Sequence, residues 1–199
     1  KPGEQTKNRI IVLSGSNMTI KEEDVAFLRD SISEYDMVIL QLEIPVESTV
    51  TAARIAHEAG ACVILNPAPA AILPEEIFRY VSIITPNQTE MSLLTGIDDD
   101  VTAMVAKLSS MGVDTVVMTR GSKGCVLYGK GETEMIPALK VDAIDATAAG
   151  DTFCGALCVG LSEGMSLKDA ALFATRASSI TVQRMGAQSS IPFRNELFY

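Results

Sequence analysis

Five short, unbroken apolar runs punctuate the chain: RIIVLS (9–14), MVILQL (37–42), ACVILN (61–66), VSIIT (81–85) and DTVVMT (114–119). None alternates with polar residues, as a strand with one wet face would. Continuous runs of this length suit strands of a parallel sheet, which helices cover on both faces. Amphipathic stretches near 21–33, 46–59, 88–95 and 100–111 lie between or beside them and are long enough for helices. Thr19 and Glu22, three apart in TIKE, predict a capping box opening the first of these. After the fifth run, GCVLYGKGETEMIPA predicts a hairpin turning at Gly129 and Gly131. Two helices, near 150–163 and 166–184, complete the pattern. The alternation predicts an α/β fold, a mainly parallel sheet flanked by helices, in one domain over residues 1–199.

Composition narrows the partners. With 199 residues and 47% apolar content, the chain can bury one sizeable core. Acidic residues outnumber basic ones 25 to 16, a net charge of -9. That balance argues against nucleic acid or an anionic membrane surface as a partner. A phosphate ligand would have to be held by backbone dipoles or a metal. No apolar run approaches the ~18 residues of a membrane span, and no signal-peptide pattern opens the chain. Cys62, Cys125, Cys154 and Cys158 lie in apolar segments without metal-ligand spacing and read as buried small hydrophobes. The expected compartment is the cytoplasm.

In open α/β sheets, ligands bind beyond the carboxyl ends of the strands. Ser14 to Asn17 follow the first run, Glu43 the second, and Asn66 ends the third in NPAPA. Asn87 and Glu90 follow the fourth, in TPNQTE, while Thr119, Gly121 and Gly124 follow the fifth, in TRGSKG. Each has a plain alternative. Asn17 and Asn66 suit turns, Glu43 a solvated strand end, Asn87 a helix cap, and the glycines a loop. Convergence on one sheet edge favours a binding site.

The segment DATAAGDTFCGAL (145–157) adds chemistry. The chain has no GxxxxGK[ST] or GxSxG, and no GxGxxG follows the first run; lone His57 sits within RIAHEAG, so histidine-based hydrolase chemistry is disfavoured. Small residues before Asp151 leave the backbone N–H groups of 148–151 open to an anion at a helix N-terminus. Asp151 there suits a general base for phosphoryl transfer to a hydroxyl. Taken alone, the local sequence favours a plain first-turn helix acid.

DATAAGDTFCGAL resembles the signature of the ribokinase family of sugar and nucleoside kinases. QLEIP, ILNPAPA, IITPNQTEMSLLTG, VVMTRGSKG and MGAQSSIP recur in family order over essentially all 199 residues. The resemblance implies a Rossmann-like three-layer fold and ATP-dependent phosphorylation of a sugar primary hydroxyl, with D-ribose giving D-ribose 5-phosphate. It implies Asp151 as base and the amides of Ala148, Ala149 and Gly150 as anion hole. Glu43 would contact sugar hydroxyls, and Asn87, Thr119, Gly121, Gly124 and Gly150 would border ATP. Asn87 with Glu90, and Asn66 beside them, would organise Mg²⁺. A monovalent cation, normally K⁺, would lie between Asp145 and Thr147 on one side and Thr181, Arg184, Gly186 and Ser190 on the other. A homodimer is compatible with the family.

Family members carry roughly a further third of chain ahead of the matching region, with the first sheet strands, a glycine-rich sugar-binding segment and a small β lid. The expectation is a sheet lacking those strands and that lid, with an exposed edge. Such a chain is a fragment of a longer kinase, a truncated product, or one half completed by another chain. A non-catalytic nucleotide-binding module and a kinase for a nucleoside or another sugar are the alternative functions.

Overall fold

The computed structural model describes residues 13–129 and 131–197. Among the described residues, six strands form one sheet in sequential order: β1 (Met37–Leu40), β2 (Cys62–Leu65), β3 (Ile83–Ile84), β4 (Thr115–Thr119), β5 (Cys125–Gly129) and β6 (Glu132–Ile136). The first four are parallel and the last two antiparallel. Parallel neighbours require crossovers. Helix α3 (Val46–Glu58) joins β1 to β2, a 3₁₀ turn (Glu75–Arg79) lies between β2 and β3, and α4 (Gln88–Thr95) with α5 (Val101–Met111) joins β3 to β4. Helices α6 (Ala149–Ser162) and α7 (Leu167–Thr181) follow the hairpin.

Unbroken apolar strands here serve two cores at once. Val63 and Leu65 of β2, Ile84 of β3, Val116 and Met118 of β4 and Val126 of β5 face the side of α3 and α5. Their neighbours Ile64, Ile83, Val117, Cys125 and Leu127 face α6 and α7. Side chains alternate across a strand, so both parities must be apolar when both faces are covered. Among the described residues β1 forms one edge of the sheet, and its Ile39 is 38% exposed. Among the described residues, no helix is long and apolar enough to cross a membrane.

Four expectations change. Residues 9–12 of the first apolar run lie outside the described residues, while Leu13 (92% exposed) and Ser14 precede a 3₁₀ turn at Gly15–Thr19 and are not in a strand. The helix expected over 21–33 is instead α1 (Glu22–Val25), α2 (Leu28–Ser31) and a 3₁₀ turn (Ile32–Glu34). Ile32 is its one buried residue, so little tertiary packing reinforces a regular helix there. The TIKE box does not form. Ile20 and Lys21 are extended, so the helix starts at Glu22, Lys21 N–H donates to Asp24 (2.8 Å), and the Thr19 hydroxyl turns back to the Ser16 carbonyl (2.7 Å). The strand expected over 81–85 pairs regularly only at Ile83 and Ile84, although Ser82 and Thr85 N–H groups still donate to Val63 and Leu65 at 2.9 Å. Of the four cysteines, Cys125 and Cys154 are buried, whereas Cys62 and Cys158 are half-buried; all four are free thiols.

The α6–α7 pair packs through small residues. Ala170, Ala171, Ala174 and Ala177 of α7 are buried, and a Cβ placed on Gly160 of α6 would lie 3.0 Å from the Ala170 Cβ. A side chain at that crossing would be tighter than ordinary packing, so Ala170 and Met165 would have to give way. Gly160→Val should therefore cost about 1–3 kcal/mol of stability, read as a lower urea midpoint with an unchanged denaturant slope.

Candidate active site

The carboxyl ends of β1 to β4 and the N-terminus of α6 enclose a cavity of about 610 Å³. Glu43, Asn66, Asn87, Glu90, Thr119, Gly150 and Asp151 all line it. Short backbone bonds place them. Asn66 N–H continues the ladder to the Leu40 carbonyl (2.8 Å), and Leu42 N–H donates to the Ala68 carbonyl (2.9 Å), tying the loop after β1 to the one after β2. Thr119 N–H donates to the Pro86 carbonyl (2.9 Å), bringing Thr119 beside Asn87. Glu43 is exposed, and its N–H is held by the Gln41 side chain at 2.7 Å.

Asn87 and Glu90 form a reciprocal cap on α4. Asn87 accepts from the Glu90 N–H (2.9 Å), while the Glu90 carboxylate accepts from Asn87 N–H and Nδ2, both at 2.7 Å. The helix-cap reading of Asn87 thus holds, and Glu90 faces the cavity as well. Only 9% of Glu90 is exposed. Burial raises its carboxyl above the ordinary value, and the Asn87 bonds oppose part of that rise.

Helix α6 begins at a strained cap. Ala148 is left-handed (φ 60, ψ 10) and offers no side-chain cap, a conformation that costs a non-glycine residue about 1 kcal/mol or more. Ala149 N–H donates to the Ala146 carbonyl at 3.2 Å. The N–H groups of Gly150 and Asp151, in the first turn, have no intrahelical acceptor and sit at the positive end of the helix dipole. Of the residues read as an anion hole, Gly150 lines the cavity, whereas Ala148 and Ala149 do not. Asp151 is exposed beside Gly150.

Behind this turn, Asp145 gathers the segments read as a cation site. Its Oδ1 accepts from Thr147 N–H (2.9 Å) and hydroxyl (2.7 Å), and its Oδ2 from Gly186 N–H (3.0 Å). The Thr147 hydroxyl and these amides hold its carboxyl below the usual range. Ile144 and Asp145 N–H groups donate to the Val182 carbonyl, and Arg184 N–H to the Thr181 carbonyl at 3.0 Å. The buried Ser190 hydroxyl donates to Ala187 at 2.6 Å. Asp145 bonds directly to Thr147 and to Gly186, whereas Arg184 bonds to Thr181 and Ser190 to Ala187.

A second hollow of about 280 Å³ adjoins the first, sharing Asn87 and Thr119 and adding Arg120, Gly121 and Lys123. Its two cations supply local positive charge in an acidic chain. Gly124 lines neither cavity. Its φ of +87 and the crossing backbone, with Ala138 N 2.6 Å from any added Cβ, require glycine there for the fold.

Sequence reasoning did not single out Met18, Leu42, Ala68, Pro69, Thr85 or Cys154, which also line the cavity. Thr85 and Cys154 meet at 3.3 Å, and burial pushes the Cys154 thiol up to about 11. A neutral thiol is a wall of the cavity rather than a nucleophile. Cys154 was legible only as a residue three beyond Asp151 on the same helix face.

The sequence model of the pfkB family carbohydrate kinases matches residues 3–194. A ribokinase of Staphylococcus aureus (strain COL) is 42% identical over 196 residues, which are 96% of this chain and 64% of that protein. The crystal structure of ribokinase from Thermotoga maritima superposes with a TM-score of 0.88 at 41% identity, covering 96% of this chain and 64% of the other. The Arabidopsis thaliana ribokinase complexed with ribose and ATP superposes at 0.85 with 33% identity, over 96% and 64%. The chain therefore spans about 64% of the length of these relatives. Over that span sequence and fold agree, and the chain belongs to the pfkB family of carbohydrate kinases.

Proposed function

We propose that this chain carries the nucleotide-binding and catalytic part of a kinase that transfers the γ-phosphoryl group of ATP to a sugar primary hydroxyl, with D-ribose as acceptor and D-ribose 5-phosphate as product. One observation carries the reading: Asp151 and Gly150, at an open helix N-terminus, share a single cavity with Glu43, Asn66, Asn87 and Glu90. The Arabidopsis relative with ribose and ATP supports the choice of substrates.

Asp151 accepts the proton of the attacking hydroxyl, which makes its oxygen a better nucleophile toward the γ-phosphorus. The Gly150 and Asp151 N–H groups stabilise charge on the transferring group, aided by the helix dipole. Glu43, exposed in the same cavity, orients sugar hydroxyls. Asn87, Thr119, Gly121, Arg120 and Lys123 border the nucleotide phosphates. Glu90, a buried carboxylate in the same cavity, and Asn66 fit the neighbourhood of Mg²⁺. Asp145, whose carboxylate already draws Gly186 to Thr147, fits a monovalent cation such as K⁺. When bound, these ions supply neutralisation of phosphate charge and a fixed direction for the anion-hole loop.

A non-catalytic nucleotide-binding module is the second reading, favoured by the second hollow, where Asn87, Thr119, Arg120, Gly121 and Lys123 could hold phosphates without any sugar-contacting residue. The two separate in one assay. Under the kinase reading, ADP is released with D-ribose, ATP, Mg²⁺ and K⁺, and Asp151→Asn lowers that rate about 10²–10⁴-fold while MgATP affinity stays within about twofold. MgATP binding without ADP release supports the module instead. Saturating MgATP should raise Tm by several degrees, since about 100 Kd of ligand adds about 2.7 kcal/mol. An unchanged Tm rejects both.

Glu90 makes the Mg²⁺ effect pH-dependent. Its folded pKa lies above 4.5, so in the free chain its contribution to stability grows as pH falls through the folded value and is complete below 4.5. Cation attraction runs the other way, because protonation removes the charge. The Mg²⁺-dependent part of the Tm rise should therefore fade on acidification before an ordinary glutamate would titrate. Glu90→Gln should abolish that pH step, measured by thermal shift from neutral pH to about pH 4.

A further inference from the structure

Two hydroxyls of α7 reach the first turn of α6. Ser178 Oγ donates to the Ala149 carbonyl at 2.9 Å, and Thr181 Oγ1 donates to Thr152 Oγ1 at 3.1 Å. Serines and threonines within helices ordinarily turn back on their own helix. Ser179 does so, donating to Arg176 at 2.7 Å. Ser178 directs its proton 29 residues away instead, to one particular peptide.

That peptide matters because the Ala149 carbonyl and the Gly150 N–H are the two ends of one planar unit. A donor on its oxygen fixes the plane, and so the direction of the N–H. It also polarises the unit, making the N–H a stronger donor. Ala149 is in α6, so its carbonyl already lies in the helical ladder; Ser178 adds a second bond on the α7 side.

The turn needs outside support. Its cap residue Ala148 is a left-handed alanine, no side chain caps the helix, and the next position but one is glycine. All three features favour fraying. Among the described residues, nothing outside its own helical turn lies within 4 Å of an ideal Cβ on Gly150. The restraint therefore comes from behind, through the Ala149 carbonyl.

We infer that Ser178 is a positioning residue for phosphoryl transfer: its hydroxyl orients and polarises the Ala149–Gly150 peptide so that the Gly150 N–H points at the transferring group. The inference rests on the kinase reading and deepens it.

The test compares the unmodified chain with Ser178→Ala and Ser178→Thr, using MgADP and MgADP with aluminium fluoride as probes in calorimetric titrations. The Gly150 amide is followed by ¹H–¹⁵N NMR without nucleotide. In Ser178→Ala, MgADP affinity should stay within about twofold, affinity for the aluminium fluoride complex should fall about tenfold, and the Gly150 amide proton should move upfield. Ser178→Thr, which keeps the hydroxyl, should recover most of both. Equal affinities in Ser178→Ala and the unmodified chain overturn the inference. So does an equal loss of both ligands, which marks a merely structural residue. If the unmodified chain binds neither probe, the kinase reading itself fails and the positioning role goes with it; an unmoved Gly150 resonance rejects the hydrogen bond regardless of ligand.

Discussion

The close crossing of α6 and α7 is the constraint on which the site depends. Gly160 and the alanines of α7 let the two helices approach until backbone nearly meets side chain. Dense packing of this kind transmits position rather than absorbing it. It presses α6 against the sheet face made by Ile64, Val117 and Leu127, and it sets the N-terminal turn of α6 at the carboxyl edge of the strands. The strained alanine cap then stands where the helix dipole opens into the cavity. Hydroxyls of α7 fasten that turn from behind.

Electrostatics at this edge reconcile an acidic protein with a phosphate ligand. A net charge of -9 repels anions at long range. Close to the cavity the balance reverses, because helix N-termini of α4 and α6, with Arg120 and Lys123, present positive partial and full charges. Glu90 illustrates how one carboxylate serves two ends. It caps α4 with Asn87, and its burial in the same cavity leaves a charge that a cation would relieve. The bland and the functional readings of that pair describe the same hydrogen bonds.

Much of the fold was legible because its strands are apolar at both parities. MVIL, CVIL and TVVMT announce burial on two faces, and α4 (Gln88–Thr95) and the hairpin glycines fall where capping and turn chemistry put them. The 21–33 region was misread because periodicity alone cannot say how much of an amphipathic face finds a partner; only Ile32 is buried there. Gly124 was grouped with a ligand loop, yet its glycine is required by backbone of residues 136–138 crossing it. Ser178 left no distinct signal, being one of several small polar residues among the alanines of α7, in RASSIT.

The strands β1, β2 and β4, the hairpin, the capped start of α4 and the residue types at those strand ends were determined by the sequence itself, since they follow from local periodicity, capping and turn preferences. The chain order of DATAAGDTF likewise determined that a small-residue helix start precedes an aspartate. Tertiary structure alone decided which of those groups meet: that Glu43, Asn87, Glu90 and Asp151 share one cavity, that Asp145 reaches Gly186, and that Ser178 reaches Ala149. The physical reason is range. Propensities act over a few residues, whereas a hydrogen bond between positions 29 or 41 apart exists only once packing has brought two helices or two loops within 3 Å.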